Sequence, residues 1–396
     1  MHLIWENLLK NLVLHWTGKF KGLDEGTESY ELDKSIWKAI GEATAKAGST
    51  VPSAYGARVP NIAGDGVYIS AEMWSFWVLY LGPVLLQRCF KAECYYNHFI
   101  RLVQLLNVCL QFEILHTEIE YIWTGFASWV EDYEKIYYQY NVDRLSTCPL
   151  TIHVLLHIAD SISATGPVWC YWAFPMEWYC GALQPAIHSH RYPFASLAWH
   201  VLEDAQLTQI KAYYDVAEKL SLWHSQHAPM ESTADPTCQL LPPKASEWPS
   251  ASSLTALQGA LVTRLKCPLG TVKRHLQQAN VMEWGQVQCI DLDAGDTMRA
   301  SELGVVHDDS RDASWVQPES SFIMASIRSC KCIESEKIDG LDIHFYTALG
   351  QQHVTDITTV QCLVGRVPCG QTKWAIMDRS GSLARAVYSE DDRDLD

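Results

Sequence analysis

Between Ser70 and about Tyr140 the sequence is nearly continuous helix, and this stretch constrains the fold more than any other. At its centre Phe99, Leu102, Val103, Leu106 and Leu110 repeat at helical spacing, with more apolar content than a half-exposed helix needs. Such a helix is buried on most sides. Ser70, followed by Met73 and Trp74, reads as an N-cap, while Gly82-Pro83 and Gly125 read as breaks. Upstream, Leu8, Leu9, Leu12 and Val13 mark a helix within Leu3 to Phe20, stopped at Gly18 and Gly22. A second helix is expected from Asp33 to about Lys46, then a loop rich in proline and glycine from Val51 to Gly64. Downstream, Pro149 opens a helix to about Ile162, ended by Gly166-Pro167. The aromatic run Val168 to Phe174 reads as a short strand, followed by helices from Glu177 to Ile187 and from Pro193 to about Leu222.

The texture then changes. Pro229, Pro236, Pro242, Pro243 and Pro249 fall among Ser, Thr, Ala and His, the composition of a linker over residues 223–253. A helical connector follows over 254–280. Short β-rich runs then appear at Val287–Ile290, Phe322–Ile327, Ile343–Tyr346, Val360–Val364 and Trp374–Met377, separated by turn sequences. The expected class is α+β: a mainly helical part over 1–222, a small β domain over 281–386 and an acidic tail over 387–396.

Thirty basic against 46 acidic residues give a net charge of −16, which argues against a chain that wraps nucleic acid by charge alone. Thirteen irregularly placed cysteines do not form a disulfide framework and suggest reduced thiols in an intracellular protein, nuclear or cytoplasmic. Cys330 and Cys332 lack the second pair that a zinc site needs. Met1 to Glu6 has no basic n-region ahead of an apolar run, so no cleavable signal is expected. The longest apolar stretch, Met73 to Leu86, is interrupted by Ser75, Gly82 and Pro83 and falls short of the ~20 residues of a membrane span.

No phosphate-binding glycine loop, dinucleotide fingerprint or nucleophile elbow occurs. His153 and His157 stand four apart on one helix and could chelate a metal, but Val154-Leu155-Leu156 between them lacks the glutamate of a zinc protease, and a packed or capping pair is the plainer reading. A hydrolase using His153, Asp160 and a cysteine has no support from spacing. His188 and His190 flank Ser189 beside Arg191 on an expected surface turn, where solvated side chains are the default and a phosphate contact is the alternative. Glu177 follows Trp172-Ala173-Phe174-Pro175-Met176, an aromatic setting expected to be poorly solvated, where a carboxylate needs a partner charge, a proton or a metal. A helix N-terminal acid favoured by the dipole is the simpler account.

Several longer stretches carry a resemblance. His2-Leu3-Ile4-Trp5-Glu6-Asn7, His15 to Phe20, Cys148 to His153, Gly166 to Glu177, Leu183 to Ile187, Asp356 to Gly365 and Trp374 to Gly381 closely resemble the CACTA (En/Spm-type) DNA transposases of fungi. The resemblance covers almost the whole chain. It implies a cut-and-paste enzyme with a ribonuclease H-like core, in which three acidic residues hold two Mg²⁺ ions for phosphodiester cleavage and strand transfer. Residues 20–165 look like the family's long helical insertion, and Glu177 like its last metal-binding acid, a catalytic residue.

The family pattern places an Asp just ahead of the equivalent of Met1-His2, and another earlier still. The expectation is therefore a truncated or decaying copy, or a gene model cut short, with one of three carboxylates, no productive Mg²⁺ pair and no DNA cleavage of its own. Trp178 stands where the family usually has Arg, and His188 and His190 where it has more arginine. The stretch from Val316 to Phe322 is shorter than in relatives. Residual DNA binding is expected at Arg191 and on the most basic helix, Gln258 to Leu276, through Arg264, Lys266, Lys273 and Arg274; a solvated helix face is the plainer account of those charges. Transposon-end DNA and a full-length transposase are the expected partners, with no membrane and no small-molecule substrate. A purely structural or protein-interaction remnant is the alternative, and the net charge favours it.

Overall fold

The computed structural model describes residues 2–23, 28–51, 55–64, 66–189, 191–216, 219–220, 238–244, 250–278, 281–289, 297–299, 314–318, 324–333, 336–338, 340–356, 364–370 and 372–378. The chain is α+β and divides into two compact units, Cys170–Met230 and His2–Trp169 with Glu231–Asp396. Helices and sheet therefore share the larger unit, where composition alone places a helical part and a separate β domain.

In the larger unit a π-helical segment, His2–Leu8, runs into α1 (Leu9–Trp16). Gly18 and Gly22, both at positive φ, turn the chain out of it, as a residue without a Cβ does at least cost. Next come α2 (Lys34–Ala47), α3 (Ala71–Phe76) and α4 (Gly82–Leu85), the last two joined by a π-helical turn. The Ser70 hydroxyl accepts the Met73 N–H at 3.3 Å, the expected cap. Gly82-Pro83 does not break the helix. Pro83 sits in the first turn of α4, where its missing N–H has little intrahelical duty, and a Cβ on Gly82 would lie 2.8 Å from the Phe99 ring.

The core is built on α5 (Glu93–Cys109) and α6 (His116–Tyr133). Gly125 is not a break either. It lies within α6, where a Cβ would come 2.4 Å from Leu105 Cδ2, so this glycine lets the two helices close on each other. The His98 ring stacks on Trp129 with centroids 4.4 Å apart, its Nε2–H donates to the Trp129 carbonyl at 3.2 Å, and the Trp129 indole N–H donates to the His98 carbonyl at 2.9 Å. Around this pair Trp16, Phe20, Tyr30, Tyr133 and Tyr137 are almost fully buried, and the Trp16 indole donates to the Tyr137 hydroxyl at 3.0 Å. Buried Arg144 donates from Nε to the Tyr137 carbonyl at 2.7 Å and from its terminal nitrogen to the Tyr30 hydroxyl at 2.5 Å. These partners satisfy a charge that burial would otherwise penalise. A short helix α7 (Leu150–Val154), a 3₁₀ turn Leu155–His157 and α8 (Ile158–Thr165) complete this part, which Gly166 ends at positive φ.

Two helices of the smaller unit follow, α9 (Phe174–Leu183) and α10 (Pro193–Tyr214). The strand expected at Val168–Phe174 is instead a 3₁₀ turn, Val168–Cys170, leading to the start of α9. A short aromatic run suits either element, and Pro175 at the N-terminus of a helix decides for the helix.

Back in the larger unit, β1 (Cys238–Lys244) lies inside the stretch whose composition reads as linker. It pairs antiparallel with β2 (Val281–Cys289), and its register shifts between Leu241 and Lys244, across Pro242-Pro243. An edge position and a bulge tolerate prolines that lack a ladder donor. The connector is two helices, α11 (Ala251–Leu265) and α12 (Leu269–Gln278). With β3 (Thr297–Arg299), β4 (Ser314–Pro318), β5 (Met324–Cys332), β6 (Ile343–Asp356), β7 (Gly365–Pro368) and β8 (Trp374–Met377), the strands form one antiparallel sheet in the order β1-β2-β4-β5-β6-β8-β7, with β3 also on β2. Burial alternates along β7 and β8, the period of a sheet with one covered face. That edge is tied to the helices: the Arg366 N–H donates to the Thr50 carbonyl at 3.1 Å, and the Tyr55 hydroxyl to the Met377 carbonyl at 3.0 Å. Most of the expected strand Val360–Val364, residues 223–237 of the expected linker, the segment 319–323, His190 and the tail 387–396 lie outside the described residues.

Candidate nucleic-acid interface

From Ala251 to Gln278 the sequence contains Arg264, Lys266, Lys273 and Arg274 and no Asp or Glu, in a chain of net charge −16. Its two helices are set by local signals. The Ser250 hydroxyl accepts the Ser253 N–H at 3.1 Å to cap α11, Lys266 at positive φ ends it, and Pro268 precedes α12. Leu257 and Leu261 on α11, with Val272 and Leu276 on α12, are each four residues apart. They form one buried cluster with Val281 of β2 and Met324 of β5. With those side chains inward, Lys273 and Arg274 follow Val272 by roughly 100° and 200° around the helix and face solvent. Lys266 is also exposed. The expected single helix Gln258–Leu276 is thus a helical hairpin with one face in the core and cations on the other.

Arg264 is the exception among these cations. Its guanidinium pairs with the Asp356 carboxylate at the end of β6, so its charge is already engaged within the fold. Nothing local to α11 announces that partner, and the sequence reading missed it.

Glu177 and Arg191 belong to the smaller unit. Glu177 lies in the first turn of α9 and is exposed, not held in a poorly solvated aromatic pocket. The preceding run is not a strand with one aromatic wall: it is a 3₁₀ turn, Val168–Cys170, and a short non-helical link into α9. Tyr171, Met176 and Tyr179 are themselves exposed. A solvated acid in a first helical turn gains from the dipole. The Arg191 guanidinium lies 5.3 Å from the centroid of the Tyr192 ring, an exposed cation–π contact. His188 is exposed, and its backbone N–H donates to the Ser196 hydroxyl at 3.2 Å.

The Mg²⁺ pair implied by the resemblance needs several carboxylate oxygens converging on one point. Among the described residues no three His, Cys, Asp or Glu side chains gather in that way, and Glu177 is solvent-facing. These residues do not fit a two-metal centre, and no chemical step is derived through one. The described cysteines are free, and burial pushes the Cys109 and Cys369 thiols up to about 12. His153 and His157 are not packed in the core, and His157, at the N-cap position of α8, makes no side-chain cap hydrogen bond. Both are exposed, with their Nε2 atoms 3.2 Å apart. Asp160 lies 3.8 Å from His157 Nδ1, so it pairs with that histidine and not with His153.

No protein-family model, curated protein or solved structure matches this chain. Among the described residues no helix is long and apolar enough to cross a membrane.

Proposed function

We propose that this chain is a CACTA-transposase-related protein that contacts the DNA backbone through the α11–α12 hairpin. One observation carries the proposal: an acid-free helical pair anchored in the core by Leu257, Leu261, Val272 and Leu276 presents Lys266, Lys273 and Arg274 outward. Cations on a rigid, buried-backed helix meet phosphates without ordering a loop, and they carry no sequence specificity of their own. The overall negative charge makes this contact local and strongly salt-dependent. Glu177 is retained in this reading as the family's last acid, with a ribonuclease H-like ancestry for the residues around it. DNA cleavage is not assigned to the polypeptide.

Fluorescence anisotropy with labelled mixed-sequence duplex, repeated across a salt series, tests the proposal. Three phosphate contacts give a slope of log K against log salt of about −3, and Lys273→Ala/Arg274→Ala reduces it by about 2. Salt-independent binding, or a slope the double substitution leaves unchanged, overturns it. Chelator-sensitive nicking of the duplex would instead assign an active metal centre. A protein-binding role is the second reading, favoured by the exposed Trp199, Leu202 and Tyr213 of α10. Capture of a full-length transposase by a chain with no salt-sensitive DNA complex would select it.

A further inference from the structure

We propose that His153 and His157 form a chelating site for a borderline d-block divalent cation of the Zn²⁺ or Ni²⁺ type, independently of any role in DNA binding. Ile152, Leu155, Ala159 and Ile162 are buried and fix the inner face of this helical segment, which leaves both histidines on its outer side. The 3₁₀ turn Leu155–His157 between α7 and α8 keeps the two imidazoles together, with Nε2 to Nε2 at 3.2 Å and ring centroids 4.9 Å apart. Two metal–nitrogen bonds of about 2.0–2.1 Å at a tetrahedral angle place their nitrogens roughly 3.3–3.4 Å apart. The pair is therefore already close to chelate geometry. Asp160 supplies the outer element of such a site: its carboxylate, 3.8 Å from His157 Nδ1, can take the Nδ1–H and leave Nε2 free for the metal. It also adds negative charge beside a cation. The remaining coordination positions face solvent and go to water or an external ligand. Val154-Leu155-Leu156 between the histidines supplies no glutamate of the zinc-protease kind, and the proposal is one of binding.

A hydrogen bond between two neutral imidazoles produces the same short distance, and the experiment separates the two accounts. The full-length protein is treated with diethyl pyrocarbonate, with and without Ni²⁺, and modification is mapped by mass spectrometry. Ni²⁺ is the probe because it accepts imidazole well and competes less than Zn²⁺ for the thiolates of this chain. Bound metal should slow modification of both His153 and His157 at least tenfold, while exposed His188 is an internal reference whose rate stays constant. His153→Gln should abolish protection of His157, His157→Gln that of His153, and Asp160→Asn should raise the Ni²⁺ concentration needed by about tenfold. All three positions are exposed, and circular dichroism verifies that the variants fold. Equal rates with and without Ni²⁺ in the wild type, or protection of His157 that persists in His153→Gln, overturn the proposal in favour of a hydrogen-bonded pair alone.

Discussion

Two helices rich in aromatic and apolar residues, α6 and α10, meet opposite fates. In α6, Ile122, Phe126, Trp129, Val130 and Tyr133 are all buried, and at about 100° per residue they fall on one stripe. Along α10, Leu197 and Val201 fall on the side of the axis opposite Trp199 and Ile210, so its apolar side chains do not share one face, and no side chain in that helix is buried. Trp129 is 0% exposed and Trp199 64%. Apolar content does not by itself make a core; the side chains must recur on one face that another element can cover. The same contrast divides two other clusters of large side chains. Trp5, Trp16 and Phe20 are buried, while Trp169, Tyr171 and Met176 are exposed.

The largest test of that contrast is a pair of identical truncations. Trp129→Ala removes a fully buried indole, its stack on His98 and its bond to the His98 carbonyl, and should cost about 4 kcal/mol in urea unfolding. Trp199→Ala should change stability by no more than about 0.5 kcal/mol. A large loss from the second would mean that α10 is covered after all.

Acid should attack the α5–α6 core next. Burial pulls the His98 imidazole down to about 4, against the smaller upward pull of its bond to the Trp129 carbonyl. The unfolded chain takes up this proton at about pH 6.5, the folded chain only near pH 4. Below 6.5 the unfolded state binds more protons, so stability falls with pH through that window and is fully present above it. The loss is on the order of 3 kcal/mol, and His98→Gln should flatten the dependence between pH 4 and 6.5 in urea titrations.

Glycine substitution gives the smallest effects and the sharpest comparison, because its sign should differ. Gly125→Ala drives a methyl to within 2.4 Å of Leu105 Cδ2 and should destabilise by about 1–3 kcal/mol. Gly181→Ala in α9 meets nothing within 4 Å and should be neutral, or raise helix stability by up to about 1 kcal/mol. Thermal melts followed by circular dichroism measure both. Equal destabilisation would show that Gly181 is covered, and no effect at Gly125 would show that Leu105 can move aside.

Much of this architecture was legible locally. The cap at Ser70, the helix entered behind Pro149, the strand Trp374–Met377 and the change from helical to alternating texture all emerged from spacing and turn residues. Three features did not. β1 was hidden by prolines that only an edge and a bulge accommodate. Gly82-Pro83 and Gly125 carry the local signature of breaks, because a glycine that ends a helix and one that admits a neighbouring side chain are the same residue in sequence. At the candidate interface the exposed cations were readable from composition, but the pairing of Arg264 with Asp356 was not.

What the sequence by itself determined is what depends on neighbours within about a turn: where helices start, which strands alternate, and that residues 251–278 carry cations without acids. The tertiary structure decided which aromatics are covered, which arginine is already paired, that Glu177 faces water, and that the Nε2 atoms of His153 and His157 lie 3.2 Å apart. The reason is physical. Capping, periodicity and backbone preference are set over three or four residues, whereas burial and charge pairing depend on which distant segment arrives at the same place.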